Sequence, residues 1–188
     1  AVTEVGTYAF SGTGLESFAW PVGATTVPAY AFYNAASLKT ITGLEAVTEV
    51  GAYAFSRTGL ESFAWPRNAT TVPALAFYRA ASLKTITGLE AVIEVGTYAF
   101  SRTGLESFAW PVGATTIPQK AFFGAASLKS ITGLAAVTEV RAWAFYNFNS
   151  SLTARSYSYE VGSGAEGAEG AEDADGADGE GDDLATGY

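Results

Sequence analysis

The chain of 188 residues contains no histidine and no cysteine, and its first aspartate is Asp173. These absences exclude Ser-His-Asp and Cys-His nucleophile systems, thiolate and imidazole metal sites, and the usual general base near neutral pH. Paired glutamates remain a route to catalysis in principle, as in sugar hydrolysis. Here, however, the glutamates recur unit by unit, and nothing in the sequence sets two of them apart. A phosphate loop is missing too: Gly12-Thr13-Gly14 and its copies lack the Gly-Lys-Ser/Thr ending and precede a strand-like segment instead of opening a helix. No stretch has the periodicity of a long helix. The expectation is a non-enzymatic protein that needs no cofactor or metal and does not insert into a membrane. The chain shows no signal peptide and no starting methionine, and Ala1 falls inside a repeat.

What the sequence has is repetition. Phe10, Phe55, Phe100 and Phe145 are 45 residues apart, as are Trp20, Trp65 and Trp110. The block is itself double, because Ala-Phe also recurs at Phe32, Phe77 and Phe122, which gives seven units of 22 or 23 residues. A fixed period of this kind marks a solenoid, in which each unit buries its apolar face only by stacking on the next. Odd units carry Leu15-x-x-Phe18-x-Trp20 and its copies at Leu60 and Leu105; even units carry Leu38-x-x-Ile41 and Leu83-x-x-Ile86, with Leu44 and Leu89 following a glycine. Pro21, Pro66 and Pro111 close the odd segments, as expected of strands ended by a residue that cannot donate to a ladder. The rest of each unit is expected to return in turns or short 3₁₀ pieces.

The phrase Thr25-Thr-Val-Pro-Ala-Tyr-Ala-Phe32-Tyr-Asn-Ala-Ala-Ser-Leu38-Lys-Thr-Ile41 resembles the BspA-type leucine-rich repeat, and the likeness extends over residues 1 to about 155. Ala35, Ala80 and Ala125 stand where that family often has cysteine. The resemblance implies a curved right-handed solenoid with short parallel β-strands on its concave face and turns or 3₁₀ pieces on its convex face. It also implies a place among surface proteins of bacteria and protists that adhere to proteins or cells.

Charge divides the chain in two. Residues 1–161 hold all ten Lys and Arg and ten Glu, whereas 162–188 hold nine acids and no base, which accounts for the net −9. The first part is expected to be the solenoid, with a C-terminal cap at about 146–161 where Arg155 replaces a buried apolar residue. The second part, low in complexity and poor in apolar groups, reads as a disordered acidic tail.

Two surfaces are singled out. On the concave face the residue after the first leucine is Glu16, Lys39, Glu61, Lys84, Glu106 and Lys129 in turn, a ladder of alternating charge if neighbouring strands lie about 4.8 Å apart. Thr40, Thr42, Thr85 and Thr87 lie beside it on a floor of small residues. The plainer reading of this face is solubility and register, since a slip of one unit brings like charges together; the functional reading is a platform for a protein or glycan. Thr-x-Thr rows also suggest ice binding, but the charges and the intervening Ser-Phe-Ala strands oppose it. The second surface is a basic edge, where Arg57, Arg79 and Arg102 occupy the position two after the phenylalanine. It reads either as a solvated turn free to drift or as a patch for an acidic polymer. Tyr8, Tyr30, Tyr53, Tyr98 and Trp143 share one position, where core or rim packing is the expectation and a partly exposed convex row the alternative. Nucleic acid is not an expected partner, because the body is neutral and the tail acidic. Asn68 and Asn149 open Asn-x-Ser/Thr sequons, possible glycosylation sites.

Three functions follow from different classes: an extracellular or cell-surface module that binds a protein or glycan; a structural element associating end to end or with further repeats before Ala1; and an intracellular scaffold with an acidic tail.

Overall fold

Each of the first six units places a large apolar residue between two small ones, Ser-Phe-Ala in odd units and Thr-Ile-Thr or Ser-Ile-Thr in even ones, and these triplets become strands. In the computed structural model, which describes residues 2–146, they form a first row of three-residue strands: β1 (Ser17–Ala19), β3 (Thr40–Thr42), β5 (Ser62–Ala64), β7 (Thr85–Thr87), β9 (Ser107–Ala109) and β11 (Ser130–Thr132). The central residue points inward and its neighbours outward, as the period of two requires. A second row of two-residue strands comprises β2 (Thr26–Val27), β4 (Glu49–Val50), β6 (Thr71–Val72), β8 (Glu94–Val95), β10 (Thr116–Ile117) and β12 (Glu139–Val140). This row adds a second ladder to the turns and 3₁₀ pieces expected outside the first row. Two residues are too few for a period to register in sequence, and among the described residues the 3₁₀ geometry is confined to Leu134–Ala136.

All pairing is parallel and one unit apart: Phe18 faces Ile41, Phe63 faces Ile86, Phe108 faces Ile131, and Val27 faces Val50. The ladders join strands in twos, β1–β3, β5–β7 and β9–β11 in the first row, and β2–β4, β6–β8 and β10–β12 in the second. The 45-residue block is therefore a physical unit as well as a sequence period.

A third longitudinal system, built from the Ala-Phe segments, runs through every turn. Tyr30, Phe32 and Asn34 each donate a backbone N–H at 2.9 Å to Ala52, Ala54 and Ser56 of the next unit. The same alternate-residue pattern recurs from Phe10 N donating to Ala31 O, through to Phe122 N donating to Ala144 O. Two residues per unit sit at positive φ to aim these groups along the axis, for example Tyr53 at 59° and Arg57 at 56°. Ser56 and Ser101, both buried, donate their hydroxyls to Tyr78 O and Phe123 O at 2.9 Å and reinforce the ladder.

The core is a stack of rings. Phe32, Phe55, Phe77, Phe100 and Phe122 have no exposed surface. Their centroids step 6.0, 5.4, 5.9 and 5.5 Å along the stack, with the rings nearly parallel. Each contributes roughly 1.5–3 kcal/mol by burial, with an increment for the aromatic contact. Trp20, Trp65 and Trp110 are buried as well, and each indole N–H donates to the carbonyl four residues on, at 2.9, 2.9 and 2.7 Å. The glycines before Leu44 and Leu89 hold φ near 79°, and a Cβ on Gly43 or Gly88 would lie 2.9 or 2.7 Å from the carbonyl oxygen of Trp20 or Trp65. Ala35, Ala80 and Ala125 fill fully buried slots. Except for Tyr146, the expected cap and the acidic tail lie outside the described residues.

Candidate functional site

Two exposed faces bring together most of the residues singled out from the sequence. On the first strand row, Glu16, Lys39, Glu61, Lys84, Glu106 and Lys129 are all exposed at the entry to their strands. The alternation places opposite charges side by side: Lys39 Nζ lies 3.6 Å from Glu61 Oε1, and Lys129 Nζ lies 3.5 Å from Glu106 Oε2. All four side chains are well exposed, so each pair contributes no more than about 1 kcal/mol and serves register more than stability. Thr40 and Thr42 are exposed opposite Ser17 and Ala19, and Thr85 and Thr87 opposite Ser62 and Ala64. The result is a floor of methyl and hydroxyl groups bordered by alternating charge.

The second strand row adds Glu49, Glu94 and Glu139, which the sequence reading did not select. Arg141 donates to Glu139 at 3.1 and 3.4 Å and Thr116 Oγ1 donates at 3.2 Å. Its carboxyl is held below the ordinary 4.5, first by the Arg141 hydrogen bond.

The Ala-Phe segments form a face of different character. Tyr8, Tyr30 and Tyr53 stack at 4.5 and 4.6 Å, almost parallel. Tyr33 meets Tyr30 and Tyr53 edge-on at 5.7 and 6.4 Å, and Tyr78 meets Tyr98 edge-on at 6.4 Å. Burial, and then the neighbouring tyrosines, push the Tyr30 and Tyr53 phenols above their ordinary 10.0. Cations lie on these rings: Arg57 over Tyr33 at 5.8 Å, Arg79 over Tyr78 at 5.3 Å and Arg102 over Phe123 at 5.9 Å. Lys120 Nζ lies 5.0 Å from the Tyr98 ring and 4.7 Å from that of Trp143.

The three arginines occupy the same turn position in three successive units. They are half-buried, set near aromatic rings, and held at φ of 56, 59 and 56°. The sequence did carry the signal. Gly12, Asn34 and Gly124 fill the same position in other units, and Gly and Asn are the residues that accept left-handed backbone most readily. Lys120 was missed; the clue was its place in the tyrosine column, between Tyr98 and Trp143. Asn68 is exposed and donates its side-chain amide to Glu45 O at 3.0 Å, whereas Asn149 lies outside the described residues. Among the described residues, no three or more His, Cys, Asp or Glu are grouped to hold a metal ion, and no helix is long and apolar enough to cross a membrane.

Comparison with solved structures agrees with this architecture. A leucine rich repeat protein of T. pallidum superposes with a TM-score of 0.74 at 25% identity, over 80% of this chain and 73% of that one. Leucine-rich repeat proteins from Bacteroides ovatus and Eubacterium ventriosum match at 19% and 20% identity with TM-scores of 0.48 and 0.44. These cover 78% and 75% of this chain, and 49% and 48% of theirs. No curated protein sequence matches. The model of the BspA type leucine rich repeat region matches residues 3–124 and 93–163, in six copies. The stacked phenylalanines, the one-unit strand register and this match together make the chain a member of the BspA-type leucine-rich-repeat family.

Proposed function

We propose that the chain is a non-enzymatic binding module that recognises a protein or a glycan at a cell surface. The observation that carries the proposal is the first strand row, where six strands in one register each expose two small side chains beside a column of alternating charge. Such a surface presents the same chemistry at each step, which suits an extended ligand and gives specificity through complementary charge. Membership in a family that the sequence resemblance links to bacterial and protist surface proteins supports the setting. The test is an array of glycans and extracellular-matrix proteins probed with the full chain and with a Lys39→Gln/Lys84→Gln/Lys129→Gln variant. A ligand bound by the first and lost by the second is the expected result; a blank array contradicts the proposal. Mass spectrometry of the native protein checks the setting, since a glycan on Asn68 places the chain outside the cytosol.

A second reading, association through the first turn, is favoured by one observation. Leu15 is 37% exposed, whereas its copies Leu60 and Leu105 are fully buried under the preceding unit. A second copy of the chain would cover it. Sedimentation velocity over a range of concentrations distinguishes self-association from a monomer.

A further inference from the structure

We propose that the face formed by the Ala-Phe segments is a binding site for a linear acidic polysaccharide, a polymer of uronic acids or of sulfated sugars. The proposal goes beyond the function proposed above by assigning a second face and a ligand class, and it rests on reading the chain as a binding module.

Charge segregation is the first argument. Residues 6–12, 28–34, 51–57, 73–79, 96–102, 118–124 and 141–146 contain no Asp or Glu, yet they include Arg57, Arg79, Arg102, Lys120 and Arg141, five of the ten basic residues. The acids among the described residues stand on the two strand rows and their flanking loops instead, matched by lysines on the first row, so the Ala-Phe segments are the part that carries bases without acids of its own. A stripe of one sign attracts a polyanion along its length.

Spacing is the second. Arg57, Arg79 and Arg102 occupy three successive units, one cation per turn. Their separation is fixed by main-chain bonds: Arg57 N donates to Tyr78 O at 2.8 Å and Arg79 N to Ser101 O at 3.0 Å. Lys120 extends the cationic stripe into the following unit. A regular polymer with an anionic group on each repeat meets such a row many times over, and each contact after the first is made at high effective concentration.

Preorganisation is the third. Each arginine is half-buried with its guanidinium carbon 5.8, 5.3 or 5.9 Å from a ring centroid, so binding orders little that is not already ordered. Arginine is the side chain whose planar fork matches the oxygens of a carboxylate or sulfate. The phenols of Tyr8, Tyr30 and Tyr53 stand alongside as a row of neutral donors. Exposed rings at either end, Tyr8 at 52% and Trp143 at 51%, offer a negative π face to the C–H bonds of a sugar ring.

The same geometry disfavours an acidic peptide. A peptide binds by adding a strand to an open edge or by seating apolar anchors in a groove. On this face the alternate backbone N–H groups are already donated to the next turn.

The test is calorimetric titration of the full chain with heparin, polygalacturonate, neutral dextran and poly-L-glutamate at low and high salt. Heparin or polygalacturonate is expected to bind more weakly as salt rises, dextran not at all, and poly-L-glutamate at least tenfold more weakly. Arg57→Asn/Arg79→Asn/Arg102→Asn uses the residue that the chain itself has at Asn34 and should lose at least tenfold in affinity. Arg67→Gln, at an exposed base outside these segments, should change less than twofold. Should the triple arginine variant not fold, Arg79→Lys keeps the charge and removes the planar fork, with at least a threefold loss expected. Absence of binding to both acidic polysaccharides, equal affinity for poly-L-glutamate, or insensitivity to the arginines overturns the assignment. An array ligand lost only in the lysine variant, with no response here, sinks this site and leaves the binding-module reading standing.

Discussion

At the residue scale, Arg57 shows how backbone and side chain make opposed demands. Its left-handed backbone suits glycine, while its side chain covers the Tyr33 ring. Replacing it by Ala and by Gly removes the same contact but leaves different strain. Arg57→Gly should therefore be more stable than Arg57→Ala by about 0.5–1 kcal/mol, the left-handed penalty of a Cβ less the entropy that glycine returns to the unfolded chain. Thermal denaturation of the two variants measures it. Phe77 is the opposite case, with no exposed surface and rings of neighbouring units on both sides. Phe77→Ala should cost about 3–5 kcal/mol in chemical denaturation. The tyrosine stack adds a pH dependence. The folded-state phenols of Tyr30 and Tyr53 lie above the unfolded value of 10.0, so their contribution is complete below that pH. It is lost as pH rises through the folded values, because the unfolded chain gives up its protons first. Stability should fall from about pH 10 upward, and a Tyr30→Phe/Tyr53→Phe variant should show a flatter profile.

At the scale of the element, the strands are the part of the fold most legible in sequence and the turns the part that carries its continuity. Leu15-x-x-Phe18-x-Trp20 and its copies announce β1, β5 and β9, because large apolar residues between small ones have one way to face a core. The Ala-Phe segment has no such period. Its ladder depends on positive φ at Tyr8, Leu75, Lys120 and Trp143, residues whose intrinsic preference is against it, so only stacking on the next unit selects that backbone. For the same reason the basic edge was legible as a column but not as a set of cations near aromatic rings, since nothing in the spacing says where an arginine side chain lies. First-row pairing is ladder-bonded only in twos, and the β7–β9 boundary is bridged by Glu106 N donating to Lys84 O at 3.3 Å. Hydrogen exchange followed by mass spectrometry should accordingly find segments 53–57 and 75–79 more slowly exchanging than segments 62–64 and 85–87. Slower exchange in the strands would mean that the first row, and not the turn ladder, holds the stack together.

On the scale of the whole molecule, stability is a sum over neighbouring turns, so whole blocks can be removed where half-blocks cannot. Excising residues 51–95, one 45-residue block, joins Val50 to Gly96 and restores the order of units and of charges. Excising residues 51–72 joins Val50 to Pro73, sets Lys39 beside Lys84 and puts two even units in succession. The first deletion should keep a cooperative transition with a modestly lower Tm; the second should lose several degrees more, as expected when a ladder unit and its charge pairing are lost together. Under the proposed function, the same regularity makes recognition a property of faces instead of pockets, which is the central claim. Hydroxyl-radical footprinting of the full chain with and without heparin tests it most directly. The account predicts reduced oxidation of Tyr33, Tyr78, Tyr98 and Trp143 as a contiguous set, with no change at Phe18 under the strand face. Equal oxidation of all these rings with and without the polymer would contradict it.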